Sequence, residues 1–172
     1  MDESRMNEPV KNITTTDRQS ERELVVTRTF DGPARLVFEA WTTPELMLRW
    51  WAPKSFGIDF LSCEMDVRTG GSYRLVFGHP ASDQPVAFFG KYIAVEPHTR
   101  LVWTNEESDG GAVTTVTFEE KDGKTLLVLR DLYPSKNALD EALASGSTNG
   151  YGEQFDGLDV LLADLGSNVE EA

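Results

Sequence analysis

Six consecutive strand-like segments, separated by turns and one longer loop at residues 78–85, constrain the fold of this chain more than any other feature. The turn between the last two, Asp122-Gly123, is a strong two-residue hairpin signal because both positions must accept positive φ. Consecutive strands joined by short turns pair antiparallel, and the absence of helices between them excludes a sheet of βαβ units. We therefore predict an antiparallel meander. Its strands are expected at residues 56–67, 72–77, 86–95, 100–105, 112–120 and 125–133.

A first strand and two short helices precede the meander. Residues 23–30 are rich in β-branched side chains and predict the strand. In the stretch 33–53, apolar residues recur at helical spacing on both sides of a Thr43-Pro44 corner. Thr43 is a plausible N-cap for the second helix, and Pro44 suits its first turn. Three of the four tryptophans fall in this corner and are expected to wall a core or a cavity: Trp41, Trp50 and Trp51.

The last part of the chain predicts an amphipathic helix. Its apolar stripe consists of Tyr151, Phe155, Leu158, Leu162 and Leu165. Its acids lie mostly on the far face: Glu153, Asp156, Asp159 and Asp164. The stripe needs a concave apolar surface, and a curled sheet supplies one.

These elements together predict an α+β protein with a helix-grip fold. A curved antiparallel sheet of about seven strands, in the order β-α-α-β6-α, is expected to wrap around the long C-terminal helix. The single domain is expected to cover residues 23–165. Residues 1–22 are polar and unperiodic and are predicted to be a disordered N-terminal arm, and residues 166–172 a short acidic tail.

The formal net charge of −13 bounds the partners that this chain can have. Repulsion from phosphate argues against nucleic acid and against an anionic membrane surface. No apolar run approaches the roughly 20 residues of a membrane-spanning helix, and residues 1–10 lack the features of a signal peptide. Cys63 is the single cysteine, so it cannot form an intramolecular disulfide. These features predict a cytoplasmic protein.

Two surfaces are candidates for contact with other proteins. More than half of the net charge lies beyond residue 131, either as a solvated helix face or as a docking surface for a basic partner. The segment 86–95 is apolar on both faces apart from Lys91, so its outer face is expected to expose Phe88 or Phe89. Homodimerisation through this face is therefore a prediction. Gly90 is expected to mark a bulge or a tight bend in the same segment.

Several short motifs, in their order and spacing, resemble a known family. They are found at residues 65–68, 70–74, 90–92, 96–97, 100–104, 116–119, 150–151 and 158–162, and they begin with Met-Asp-Val-Arg and Gly-Gly-Ser-Tyr-Arg. With the tryptophan corner, they resemble the activator of heat-shock-protein-90 ATPase homologue family (C-terminal-domain-like). That family belongs to the START-like, birch-pollen-allergen-like (SRPBCC) superfamily. The resemblance spans about Leu24 to Leu165.

This resemblance implies a cavity between the long helix and the concave sheet. The residues expected by position to line it are Trp50, Trp51, Phe56, Tyr73, Phe77, Trp103, Leu129, Tyr151 and Phe155. Aromatic side chains bury large apolar surfaces, and tyrosine or tryptophan can also offer a ligand a polar group. The alternative is that these side chains simply fill the core. The resemblance implies no common catalytic set and no cofactor.

Few residues offer catalytic or metal-binding chemistry. His79 and His98 lie in predicted turns, so we expect neither a histidine-based acid–base site nor a triad. With Cys63 they provide no metal-ligand spacing, and no metal site is predicted. Asp131 alternates onto the apolar side of its strand, where a buried carboxylate could act as a general acid or orient a ligand. The interpretation favoured from sequence places Asp131 at the strand end, in contact with water or paired.

Three functions remain open at this point. The prediction is a non-catalytic domain that binds a hydrophobic or amphipathic small molecule beneath the C-terminal helix. The alternative is a protein-interaction module that modulates a chaperone or a stress-response ATPase, although the family's chaperone activators carry an additional N-terminal domain that residues 1–22 are not expected to supply. A polyketide-cyclase-like or hydrolase-like enzyme is less favoured, because no convergent acid–base pair is visible.

Overall fold

The structure, a computed structural model, describes residues 13–51, 59–79, 82–106, 111–145 and 151–171. Eight antiparallel strands form one open sheet in the order β1-β2-β8-β7-β6-β5-β4-β3. The strands are β1 (Thr15–Arg18), β2 (Glu23–Phe30), β3 (Asp59–Met65), β4 (Ser72–His79), β5 (Ser82–Glu96), β6 (Arg100–Thr104), β7 (Val113–Lys121) and β8 (Lys124–Leu132). The predicted meander is thus confirmed, and its last strand, β8, also pairs with β2.

The described ranges also contain four helices: α1 (Ala34–Thr42), α2 (Pro44–Trp50), α3 (Lys136–Ser145) and α4 (Tyr151–Glu171). Pro44 occupies the first turn of α2 as predicted, whereas the Thr43 side chain makes no capping hydrogen bond. The Ser135 hydroxyl accepts a hydrogen bond from the backbone N–H of Ala138 and caps α3. No helix in the described ranges is both long and apolar enough to cross a membrane.

Both ends of the chain are more regular than the sequence predicted. Within the arm of residues 1–22, Thr15–Arg18 forms β1 and pairs antiparallel with β2. All four residues of β1 are exposed, so no alternation of apolar and polar residues marked the strand. Pairing also satisfies backbone groups that the outer edge of β2 would otherwise expose. At the other end, the segment predicted as an acidic tail continues α4 to Glu171.

The predicted loop at residues 78–85 is instead largely part of a hairpin between β4 and β5. His79 pairs with Ser82, so β5 begins well before the predicted strand start at residue 86. A register irregularity follows Phe77, which pairs with Val86. Proline is tolerated in a strand at such bulges because no ladder hydrogen bond is required of its nitrogen. Pro85 lies within this irregular part of β5, and it misled the prediction.

Gly90 lies next to the point where β5 changes partners, and the bulge or bend expected at this residue stays a prediction. Residues up to Lys91 pair with β4, and residues from Tyr92 onward pair with β6. A Cβ atom at Gly90 would stand 2.1 Å from the Thr104 carbonyl oxygen, so only glycine permits this close approach of two backbones. The register also shifts between Tyr92 and Ala94. Bulges of this kind increase the local twist of a strand and help a sheet to curve.

The inner face of the curved sheet carries the core. Phe155, Leu158, Leu161 and Leu162 of α4 are buried in it together with α1, α2 and the inward residues of the strands. The sequence therefore predicted the fold class correctly: the chain is an α+β helix-grip domain. On the opposite face of β5, Phe89 is 40% exposed, and its register opposite Arg74 shows that Phe89 rather than Phe88 points outward. Homodimerisation through that face stays a prediction.

Candidate functional site

Trp41 is the centre of an aromatic cluster that joins four elements. Its ring centroid lies 4.7 Å from that of Trp50, 5.7 Å from that of Trp103 and 6.2 Å from that of Phe155. Trp51 is also in contact, at 6.1 Å. Tilted and edge-on arrangements at these distances are the favourable ones for aromatic rings. The cluster brings α1, α2, β6 and α4 together on the inner side of the sheet.

The residues predicted to line a cavity converge on this core. Six are buried: Trp50, Tyr73, Phe77, Trp103, Leu129 and Phe155. Trp51 and Tyr151 are half-buried and pack against the same core. Phe56 lies outside the described residues. The structure thus brings eight predicted residues together, and their contact with a ligand stays a prediction.

A depression of about 280 Å³ borders this core at Tyr73. Its other lining residues are Glu64, Met65, Asp66, Ser72 and Arg74. These side chains are mostly polar, unlike the aromatic lining expected for the cavity. The depression lies at the β3–β4 end of the sheet and does not coincide with the tryptophan cluster.

Asp131 is buried, which corrects the sequence interpretation that favoured a wet position at the strand end. Asp131 is 4% exposed, and it continues the inward alternation of Leu127 and Leu129 in β8. It pairs across the sheet with Thr114 of β7, and Thr114 pairs with Trp103 of β6. The three side chains therefore form a row on the inner face, in which Thr114 lies between the carboxylate and Trp103 of the tryptophan cluster.

A chain of hydrogen bonds surrounds the Asp131 carboxylate. The Thr114 hydroxyl donates to Oδ1 at 2.6 Å, and the Tyr151 hydroxyl donates to Oδ2 at 2.6 Å. Asn105 donates from Nδ2 to Thr114 Oγ1 at 2.9 Å and to the Ala112 carbonyl at 2.7 Å. Because Tyr151 is the first residue of α4, the carboxylate attaches the start of the long helix to the sheet.

Burial changes the proton affinity of this network. Desolvation raises the pKa of Asp131, while the hydrogen bonds from Thr114 and Tyr151 act in the opposite direction. Burial and then the Asp131 charge raise the pKa of Tyr151 well above its usual value. The same two causes raise the pKa of Tyr133 to about 12. Both phenols therefore remain protonated donors at neutral pH.

The raised pKa of Asp131 makes a testable contribution to stability. A native pKa above the unfolded value of about 3.9 means that the native state binds more protons in the window between the two values. Stability contributed by Asp131 is therefore highest at low pH and falls as the pH rises through that window. In Asp131→Asn this component is absent, so the free energy of unfolding of wild type minus variant should decrease from about pH 4 towards neutrality.

Urea denaturation of both proteins over this pH range measures the difference. Subtracting the variant removes the opposite contribution of carboxylates with lowered pKa, such as Asp140, whose pKa is lowered by Lys136 and Arg18. A difference that is independent of pH, or that increases with pH, would contradict the raised pKa of Asp131.

A second polar centre, missed from the sequence, is the buried arginine Arg28. Its side chain is 2% exposed on the inner face of β2, where it alternates with Val26 and Phe30. The guanidinium donates to Asp156 of α4 at 2.9 Å, to Asp159 and to the Thr14 hydroxyl at 2.9 Å. The signal was present in the alternation of β2, because an arginine at an inward position of a strand requires an acidic partner.

The acids of α4 are consequently less available for docking than the sequence implied. Asp156 and Asp159 hold Arg28, and Asp164 accepts a hydrogen bond from Arg49 of α2 at 2.8 Å. These ion pairs attach the helix to β2 and α2 along its length. Three of the four acids assigned to a far, solvated face therefore serve the fold itself.

The residues considered for other chemistry do not converge on this site. Cys63 of β3 has its pKa raised to about 11 by burial and by Glu45, so its thiol is a poor nucleophile. His98 lies in a turn, with its ring 5.5 Å from that of Phe38, and the side chain of His79 is outside the described part. Among the described residues, no group of three acidic, histidine or cysteine side chains could hold a metal ion.

The sequence matches the family model described as "Activator of Hsp90 ATPase homolog 1-like protein" over residues 31–163. The chain belongs to this family. No curated protein matches the chain well enough to count as a relative. The match runs from the turn before α1 to the middle of α4. It includes Asp131 with its partners Thr114 and Tyr151, and it does not include Arg28.

Solved structures with this fold come from several bacteria. A protein from Rhodobacter sphaeroides has a TM-score of 0.80 and 25% identity, covering 88% of this chain and 99% of its own. A Nitrosomonas europaea protein has a TM-score of 0.78 and 21% identity, with 87% and 99% covered. An AHSA1-like protein from Aeromonas hydrophila has a TM-score of 0.65 and 19% identity, with 83% and 94% covered. The last two, at this identity, show the fold alone.

Proposed function

We propose that this AHSA1-like domain binds a hydrophobic or amphipathic small molecule between the inner face of its sheet and α4. The observation that carries the proposal is the meeting of an aromatic wall with a buried carboxylate on one face of the sheet. Trp41 and Trp103 supply large apolar surfaces, and Asp131 supplies a polar end. Ligand sites are mostly apolar, with a few placed polar groups that orient the ligand.

The cluster also contains a polar atom that favours a ligand over a core made only of side chains. Trp41 is 2% exposed, and its indole Nε1 has no hydrogen-bond acceptor among the described residues. A buried donor without a partner lowers the stability of the fold by roughly 1–3 kcal/mol. Such groups in proteins usually bind a water molecule or a ligand. An oxygen of a bound molecule would supply the acceptor.

Binding rather than catalysis fits the chemistry of the buried groups. The partners of Asp131 are a threonine and a tyrosine, and the raised pKa of Tyr151 makes that phenol a weak acid. The raised pKa of Asp131 suits a general acid, but acid–base catalysis also needs a complementary group that titrates near the working pH, and neither Thr114 nor Tyr151 does. We therefore place the function in ligand binding by a cytoplasmic protein without a cofactor.

A second candidate is the regulation of an ATPase during stress, and the family description supports it. The ion pairs of α4 with Arg28 and Arg49 weaken the case for that helix as the docking surface. The exposed outer face of β5, with Phe89 and Ile93, is a better candidate surface for a protein partner. Capture of an ATPase that is lost on Phe89→Asp substitution, with Asp131→Asn unaffected, would favour this candidate.

Native mass spectrometry of wild type and Trp103→Ala tests the binding proposal. Trp103 is chosen because its ring lies both next to Trp41 and next to Thr114 in the row that leads to Asp131. We expect a discrete excess mass on wild type and its loss, or a large reduction in its occupancy, on the variant. Leu48→Ala is a matched control, since Leu48 is exposed and outside the cluster. Equal occupancy in folded Trp103→Ala would contradict the assignment.

A further inference from the structure

Asp131 differs from three acids of α4 because it is buried and, among the described residues, has hydrogen-bond donors but no cation. Asp156 and Asp159 pair with Arg28, and Asp164 pairs with Arg49. None of the ion pairs formed within the described ranges includes Asp131. A buried carboxylate is costly unless it is paired, and the nearby hydroxyls offset only part of that cost. The site therefore favours a positive charge that the described chain does not provide.

The carboxylate also retains room to accept a further hydrogen bond. Asn105 donates to the Thr114 hydroxyl, so that hydroxyl directs its own proton to Asp131 Oδ1. Tyr151 donates to Oδ2. Each carboxylate oxygen has about two lone-pair positions, and the described residues use one position on each oxygen. The hydrogen-bonding capacity of the carboxylate therefore allows a third donor.

A series of packed aromatic rings connects the partner of this carboxylate, Tyr151, with the tryptophan cluster. The Tyr151 ring lies 6.0 Å from that of Phe155, which leads to Trp41 at 6.2 Å. Trp103 stands beside Thr114 in the register of β6 and β7. The faces of such rings attract cations, tryptophan most strongly, and a desolvated site strengthens the attraction. A carboxylate bordered by aromatic rings is the surrounding that an organic ammonium group prefers.

We propose that Asp131 binds the protonated amine of an amphipathic organic cation, whose apolar body lies against Trp41 and Trp103. The proposal rests on the proposed function and adds the charge of the ligand to it. Because Asp131 contacts the first residue of α4, the amine enters beside the start of that helix, and the body points inward. A hydrogen-bond acceptor on that body would accept from the indole Nε1 of Trp41, which has no partner among the described residues. Anionic ligands are repelled by the same carboxylate.

A matched set of probes separates charge from apolar contact. Decylammonium, decanol and decanoate have the same chain length and differ only in the head group. Each is titrated below its micelle-forming concentration, at neutral pH, into the full chain, with the intrinsic tryptophan fluorescence as the signal. Wild type is expected to bind decylammonium about tenfold more tightly than decanol, and decanoate most weakly.

Two variants show whether Asp131 is responsible. Asp131→Asn keeps the shape and should reduce the ratio of decylammonium to decanol affinity to about one, with decanol affinity almost unchanged. Tyr151→Phe removes the donor to Oδ2 and leaves that oxygen open to the ligand, so the ratio should stay the same or increase. Asp122→Asn is the control for net charge, because Asp122 is an exposed turn residue with φ of 55°. The ratio should not change in this control.

The outcomes distinguish the two proposals. Equal affinity for decylammonium and decanol in wild type would overturn the amine preference and leave the binding function standing. A preference that persists in Asp131→Asn would overturn the role of Asp131. Failure of all three probes to bind would overturn the proposed function together with this inference. If Asp131→Asn does not fold, the wild-type ratio and the Tyr151→Phe ratio decide, and a reduced ratio in Tyr151→Phe would also contradict the proposal.

Discussion

Replacing Arg28 by alanine is expected to lower the free energy of unfolding by about 3 kcal/mol. The guanidinium is buried, and the substitution removes the cation that pairs with both Asp156 and Asp159. Removing one member of a buried ion pair typically costs 3–5 kcal/mol. We expect the lower end because the side chains of these acids are 47% and 25% exposed. Urea denaturation of the variant measures the loss.

Arg49→Ala is the matched control for this experiment. Arg49 also joins α4 by an ion pair, with Asp164, but its side chain is 48% exposed. An exposed pair contributes about 0–1 kcal/mol, so the control should be close to wild type. Equal losses of unfolding free energy in the two variants would show that burial does not strengthen the contribution of Arg28 to stability. Adding Asp156→Asn and Asp159→Asn to Arg28→Met should recover much of the lost stability, because no unpaired charge then remains.

Gly90→Ala is expected to cost about 3 kcal/mol or more, because the added Cβ meets backbone rather than a movable side chain. The Cβ would stand 2.1 Å from the Thr104 carbonyl oxygen and 2.8 Å from the carbonyl carbon. The neighbouring hydrogen bond from the Lys91 N–H to Thr104 Oγ1, at 2.9 Å, would be strained by any separation of β5 and β6. Thermal and urea denaturation would both report the loss.

Gly32→Ala provides the comparison for the glycine prediction. A Cβ at Gly32 would have no atom within 4 Å, so the substitution should change stability by no more than about 0.5 kcal/mol. If Gly90→Ala were as stable as Gly32→Ala, the close approach of β5 to β6 at this residue would be wrong.

The parts of the fold that alternate clearly could be predicted from the sequence. One side is buried in strand β2, in the Pro44 corner and in the stripe from Phe155 to Leu162. Their apolar patterns therefore indicate both the element and the face that packs inward. Strand β1 could not be found, because every side chain in it is exposed and only its backbone pairing defines it. The extent of β5 was hidden by Pro85, which lies in an irregular part of the ladder.

The polar centres of the site were harder to predict for a different reason. Asp131 and Arg28 both sit at inward positions of clear alternation, yet charged residues are usually placed outside by default. Their burial can be expected only when their partners are known, and those partners are distant in sequence. Asp131 binds Thr114 and Tyr151, and Arg28 binds Asp156 and Asp159. The alternation of each strand marks the inward position, but no local pattern indicates which distant residues are the partners.

Ligand binding beneath α4 can be decided by comparing the native mass of freshly purified wild-type protein with its denatured mass. We expect a discrete excess mass that is released on denaturation and that belongs to an amphipathic molecule carrying a protonatable nitrogen. Protein without a bound molecule should take up added decylammonium in a ratio of one. A bare native mass that remains bare after decylammonium and decanol are added would contradict the claim that the space beneath α4 is a ligand-binding site.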